Sequence, residues 1–217
     1  MYQKAEQIGY ENLPEHELLE MMLFFIIPRG NTNHIAHELI KKFDTAYGAI
    51  TADPKELIKI DGIGTRAAEF LNKLPMIMKA IIRAKHSYID SKITKHERLE
   101  NLNELIQAQY IDTDMERVIA LYLNSSYKLV KLSVLNDGSF DSVLFDRGKV
   151  VREAVLCGAA NVVLSHNHPS GLVFPSEADR QITGEIAASL KEVDIKLLDH
   201  IIVGGSDYYS FRETNNL

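Results

Sequence analysis

Apolar positions recur at helical spacing through the first part of the chain, with Leu18, Leu19, Met22 and Leu23 as one set and Ile35, Leu39, Ile40 and Phe43 as another. This spacing predicts amphipathic helices up to about Lys95. After Arg117 the period shortens, and β-rich runs at 118–123, 129–135 and 143–145 are separated by the turn sequences Asn124-Ser125-Ser126 and Asn136-Asp137-Gly138. Helical spacing returns at 147–158 and 176–192, and strands are predicted at 161–165, 195–203 and 207–211. The polar stretch 85–97 contains neither Pro nor Gly, so a helix is expected there and not a loose tether. The pattern divides the chain into an all-α domain over 1–95 and an α/β (α+β) domain over 96–217, a small mixed sheet flanked by helices. There is no internal repeat or low-complexity segment.

Composition supports two small cores. Of 217 residues, 46% are hydrophobic and 25% charged, the values of an ordinary folded protein. Charge follows the same division: residues 1–95 carry 13 Lys+Arg against 12 Asp+Glu, and residues 96–217 carry 11 against 18, giving the net −6. The first residues lack the basic-then-apolar order of a signal peptide, and the longest apolar run, 18–27, contains Glu20 and is too short for a bilayer. A cytoplasmic protein without membrane contact is expected. The single cysteine, Cys157, excludes an intrachain disulfide and a Cys-rich zinc module, and reads as a small buried apolar residue.

The densest chemistry lies at His166-Asn167-His168-Pro169-Ser170-Gly171, followed by Pro175-Ser176-Glu177-Ala178-Asp179. Two histidines two residues apart on an extended backbone point to the same side, so one strand end can offer two nitrogens to one ion. Pro169, Gly171 and Pro175 stop the strand, and a helix restarting at Ser176 brings Asp179 into its first turn. Two His and one Asp would leave zinc an open position, the coordination of a catalytic site. Ser176-x-x-Asp179 also reads as a plain helix cap, which needs no metal but is compatible with one. Dinuclear phosphoesterase or nuclease clusters need more ligands than this segment shows. The zinc-deaminase signature is missing, since neither His-x-Glu nor Pro-Cys-x-x-Cys occurs.

A second motif, Ile60-Asp61-Gly62-Ile63-Gly64-Thr65-Arg66, sets two glycines between helical stretches and resembles a helix-hairpin-helix. Gly62 and Gly64 would let the backbone turn and present N–H groups at the next helix start, with Thr65 and Arg66, to a nucleic-acid phosphate. Residues 55–95 hold nine Lys+Arg against four Asp+Glu, which favours non-specific DNA contact. Such hairpins also pack helices or bind proteins, and both readings stay open.

The chain as a whole resembles RadC-type proteins, a helical domain with a helix-hairpin-helix followed by a JAB/MPN domain of the JAMM metalloprotease type. The resemblance rests on Leu13-Pro14-Glu15-His16-Glu17-Leu18-Leu19, the glycine hairpin, Leu121-Tyr122-Leu123-Asn124, the His-to-Asp motif, and Leu198-Asp199-His200-Ile201-Ile202-Val203-Gly204. It implies a three-layer α/β fold and one Zn2+ per chain on His166, His168 and Asp179. Ser176 would stabilise an oxyanion, and the substrate would be a peptide or isopeptide amide in a protein or peptide partner. JAMM enzymes take their base from a glutamate before an early strand; that position maps to Glu116, with Glu153 as competitor. The alternative is a DNA-associated or protein-binding module, linked to repair or recombination, whose JAB scaffold is inactive or rarely used.

His200 reads as a satisfied, partly buried histidine, and Tyr208 and Tyr209 as packing residues. His34, His37, His86 and His96 carry no assigned role. RadC-type proteins usually have a polar loop where this chain has Leu172-Val173-Phe174, so an apolar substrate groove or a partner-covered Phe174 is expected.

Overall fold

The computed structural model describes residues 2–90, 94–137, 146–205 and 207–217. Packing divides them into two compact units, 1–80 and 81–217. No helix of the described residues is long and apolar enough to cross a membrane.

The first unit is helical. It contains α1 (Tyr2–Ile8), α2 (Glu15–Ile26), α3 (Thr32–Phe43), α4 (Ala46–Thr51), α5 (Pro54–Leu57) and the first part of α6 (Thr65–Asp90). The helix starts are written locally: the side chains of Asn31, Thr45 and Asp53 accept from the N–H groups of His34, Gly48 and Lys55, and Pro54 occupies the first turn of α5. The periodic residues Leu19, Leu23, Ile35 and Leu39 are buried with Leu57, Ile60, Ile63 and Leu71 in one core. The glycine hairpin lies between α5 and α6. Gly62 has φ 87°, a conformation that L side chains rarely adopt, so the turn needs glycine there, and a Cβ would also press on the end of the Ile35 side chain at 2.7 Å.

The second unit holds the rest of α6, α7 (Lys95–Ala108), β1 (Arg117–Leu123), β2 (Leu129–Asp137), α8 (Arg147–Leu156), β3 (Asn161–Asn167), α9 (Glu177–Lys191), β4 (Lys196–Gly204) and β5 (Asp207–Ser210). The strands form a mixed sheet in the order β2-β1-β3-β4-β5, with β3 and β4 parallel and the other pairs antiparallel. Alternation along β1 sorts its side chains. Val118, Ala120 and Tyr122 pack with Val150 and Ala154 of α8 and Ile182, Ile186 and Leu190 of α9, while Ile119, Leu121 and Leu123 pack with Leu102, Leu105 and Ile106 of α7. The sheet is therefore covered on both faces, giving the three layers that the resemblance implied. Burying each Leu or Ile contributes about 1.5–3 kcal/mol, so both faces are needed for a unit of this size.

The expected strand 143–145 and the glycine of the turn at 136–138 lie outside the described residues. Strand β3 continues past the expected 165 to Asn167, which places His166 and Asn167 within the sheet.

Candidate metal centre

Strand β3 delivers His166 to the face of the sheet that carries α9, because His166 shares the parity of Val162 and Leu164. His168 follows one step beyond the strand end, where its N–H donates to the Val203 carbonyl at 2.8 Å. Their Nε2 atoms are 3.0 Å apart. Helix α9 brings the third group. Asp179 is buried, with Oδ1 3.2 Å from His166 Nε2 and Oδ2 3.8 Å from His168 Nε2.

Asp179 is held by its own helix start. The Ser176 N–H donates to Asp179 Oδ2 at 2.7 Å, the Ser176 hydroxyl donates to the same oxygen at 2.6 Å, and the Asp179 N–H returns a bond to Ser176 Oγ at 3.1 Å. The cap and the approach of the Asp179 carboxylate to the two histidines are thus one structure, as the sequence allowed. The single hydroxyl proton of Ser176 is directed at the carboxylate.

Glu116 stands immediately before β1. One carboxylate oxygen, one nitrogen of His166 and one of His168 all lie within 4.8 Å of one another. Glu153 is elsewhere, on α8, paired with Lys131 Nζ at 3.2 Å, and Lys131 lies opposite Tyr122 at the far end of β1.

Two imidazole nitrogens and two carboxylates converging at these separations fit a small divalent cation with bonds of about 2.0–2.2 Å. The surroundings fit as well. His168 Nδ1 lies 2.5 Å from the Leu172 carbonyl, which can only accept, so Nδ1 carries the proton and Nε2 presents a lone pair to the cluster. Burial holds the His166 imidazole at a pKa of about 4 against the opposing pull of the Asp179 carboxylate, so the ring is neutral at pH 7. Burial also keeps His200 well below its ordinary value.

Three residues near the cluster escaped the sequence reading. Asn167, between the two histidines, points to the opposite face. Its Oδ1 accepts from the Arg117 N–H at 2.7 Å and its Nδ2 donates to the Met115 carbonyl at 3.1 Å. His200 on β4 is buried as expected, but its Nε2 is 2.8 Å from His166 Nδ1, and its Nδ1 is 2.6 Å from Thr183 Oγ1. The available signals were the strand alternation that sends Asn167 away from the histidines and the one-turn spacing of Thr183 from Asp179. Neither names the partner. The neighbouring Ser165 accepts from the buried Tyr110 hydroxyl at 2.8 Å, and burial pushes that phenol above its ordinary pKa.

The loop after His168 stands over the end of β4. Gly171 has φ 79°, and a Cβ on Gly204 would lie 2.5 Å from the Gly171 carbonyl oxygen, so the two backbones meet where only glycine fits. Beyond it, Leu172 is 66% exposed and Phe174 76%.

A family model described as a RadC-like JAB domain matches residues 93–217, the part of the chain that contains every residue of this cluster. A UPF0758 protein of Fusobacterium nucleatum is 30% identical over 94% of this chain and 90% of its own length. A UPF0758 protein of Aliivibrio fischeri is 30% identical over 97% of this chain and 92% of its own length.

Proposed function

The chain belongs to the RadC-like JAB-domain family, and from that premise we propose that it is a zinc-dependent hydrolase of peptide or isopeptide amide bonds. The observation that carries the reading is the convergence of His166, His168, Asp179 and Glu116 at the end of β3. Three of them would hold the ion: His166 and His168 through Nε2 and Asp179 through its carboxylate. A bound zinc ion supplies Lewis acidity that activates water and polarises the scissile carbonyl.

The remaining groups move protons and hold positions. Glu116, within reach of the histidine nitrogens but on a different element, takes the proton of the attacking water and delivers it to the leaving amine. Ser176 positions Asp179 through the cap. By rotating its hydroxyl about Cβ–Oγ, it would also donate to the oxygen that gains charge on the attacked carbonyl. His168 is oriented by the Leu172 carbonyl, which ties the ring to the loop that borders the site.

The test is a peptide and isopeptide library screened with wild type and Glu116→Gln, alongside metal analysis of both. Cleavage by the wild type, loss in Glu116→Gln and equal metal content are expected. Cleavage by both proteins would remove Glu116 as the base, and a wild-type chain that takes up no metal would remove the reading itself.

A further inference from the structure

Four groups from β3, β4 and α9 form a chain of contacts that starts and ends on Asp179. Thr183 Oγ1 is 2.5 Å from the Asp179 carbonyl oxygen and 2.6 Å from His200 Nδ1, and His200 Nε2 is 2.8 Å from His166 Nδ1. All of these side chains are buried, so water does not satisfy them in place of one another.

The direction of every bond in this chain follows from one fact. A backbone carbonyl can only accept, so two oxygens 2.5 Å apart at Thr183 and Asp179 require the threonine proton between them. Threonine has one proton. With that proton spent, Thr183 Oγ1 must accept from His200, which places a proton on His200 Nδ1. A neutral His200 protonated at Nδ1 has a lone pair at Nε2 and accepts from His166 Nδ1–H. His166 is then left with its lone pair at Nε2, the atom 3.2 Å from Asp179 Oδ1 and 3.0 Å from His168 Nε2. A helical threonine bonding back to the carbonyl one turn earlier is common. Here the same hydroxyl also meets a second histidine, and that contact extends its influence to the metal cluster.

We infer that Thr183 and His200 are positioning residues which lock His166 in the tautomer that presents Nε2 to the metal, the lock being anchored on the backbone of Asp179. This inference rests on the metal reading given above. His200 also stacks on Phe211, with ring centroids 5.1 Å apart and planes 10° from parallel, which fixes the ring that transmits the effect. The arrangement links two ligands on different elements, so a change of rotamer at Thr183 reaches both.

The test uses the full chain labelled with 15N-histidine. In the metal-free wild type, two-bond proton–nitrogen correlations should show Nδ1 protonated and Nε2 pyridine-like for both His166 and His200. Zinc competition against a chromophoric chelator should then show affinity lowered about 10- to 100-fold in Thr183→Val, the scale typical of lost outer partners of a ligating histidine. Thr183→Ser should restore the affinity. His200→Gln, whose amide oxygen can accept from His166 Nδ1–H, should lose less than His200→Ala. The opposite tautomer at His166 would overturn the inference, as would a Thr183→Val chain that binds zinc as tightly as wild type. Wild type with these tautomers but no affinity for zinc would overturn the hydrolase reading and leave the lock supported.

Discussion

Asn167 grips the backbone on both sides of Glu116, accepting from the Arg117 N–H and donating to the Met115 carbonyl with a single amide. The residue between the two histidines thus holds the backbone that carries the carboxylate, so the motif on β3 supplies two histidines and also fixes Glu116 beside them. Asn167→Leu would remove both of these part-buried bonds, at a cost of about 1–2 kcal/mol in unfolding free energy. It should also lower amide hydrolysis on the order of 100-fold through displacement of Glu116, while zinc content stays at the wild-type level. Asn167→Asp keeps the acceptor for Arg117 and should fall between the two. Denaturant unfolding, metal analysis and cleavage rates on one set of samples check all three; loss of zinc in Asn167→Leu would contradict the separation of roles.

Asp179 has two jobs whose effects separate experimentally. Its bonds with Ser176 close the start of α9, and its carboxylate faces the two histidines. Zinc at about 100 times its dissociation constant should stabilise the chelator-stripped wild type by about 2.7 kcal/mol, roughly a 5–10 °C rise in melting temperature. Asp179→Ala should lose most of that rise and, with no metal added, should still be less stable by about 1 kcal/mol from the missing cap. Ser176→Ala should show a similar cap loss yet keep a substantial zinc-dependent shift. Calorimetric melts with and without zinc decide the matter, and an undiminished zinc shift in Asp179→Ala would remove Asp179 from the ligand set.

Much of this site was legible because it is local in sequence. The apolar run 161–165, the breakers Pro169, Gly171 and Pro175, and the Ser176-x-x-Asp179 cap each occupy a few consecutive residues; the strand formed and ran two residues further, and the cap formed as expected. The sheet was legible for the same reason, since its strands are short β-rich apolar runs set between turn residues. Pairing is another matter. The contact between His166 and His200 spans 34 positions and depends on which strands became neighbours, and the contact between Asn167 and Met115 spans 52. His200 reads from the sequence as a satisfied or partly buried histidine and not a ligand, but packing rather than pattern decides whether a buried histidine meets a carbonyl, a water or another histidine. The glycine hairpin belongs with the local features, since Gly62 takes the positive φ that its turn demands.

The meeting of Gly204 with Gly171 makes the loop sensitive to a single methyl group. In Gly204→Ala the new Cβ would lie 2.5 Å from the Gly171 carbonyl oxygen, and neither atom belongs to a flexible side chain. The backbone must shift, at a cost of about 1–3 kcal/mol. Because the Leu172 carbonyl next in the loop fixes His168, zinc affinity should fall together with stability. Isothermal titration with zinc and thermal melts test this, and a stable protein with unchanged affinity would mean that the loop does not orient His168.

Phe174 and Leu172 present the reverse case, in which the main chain is anchored and the side chains are not. The Leu172 carbonyl is committed to His168, whereas its side chain and the Phe174 ring, two residues on in the same loop, face solvent. Removing exposed apolar atoms changes folding stability little, within about 0.5 kcal/mol for a surface site. A groove that receives an apolar substrate side chain would instead lose selectivity, since about 1–3 kcal/mol, or roughly 10- to 200-fold in kcat/KM, rides on one such contact. Phe174→Ser and Leu172→Ser are therefore expected to melt like the wild type and to bind zinc like it. They should lose cleavage chiefly for library members with a large apolar residue beside the scissile bond. An equal loss across all substrates would place these side chains in the architecture of the site, and no loss at all would leave the apolar loop without a part in substrate choice.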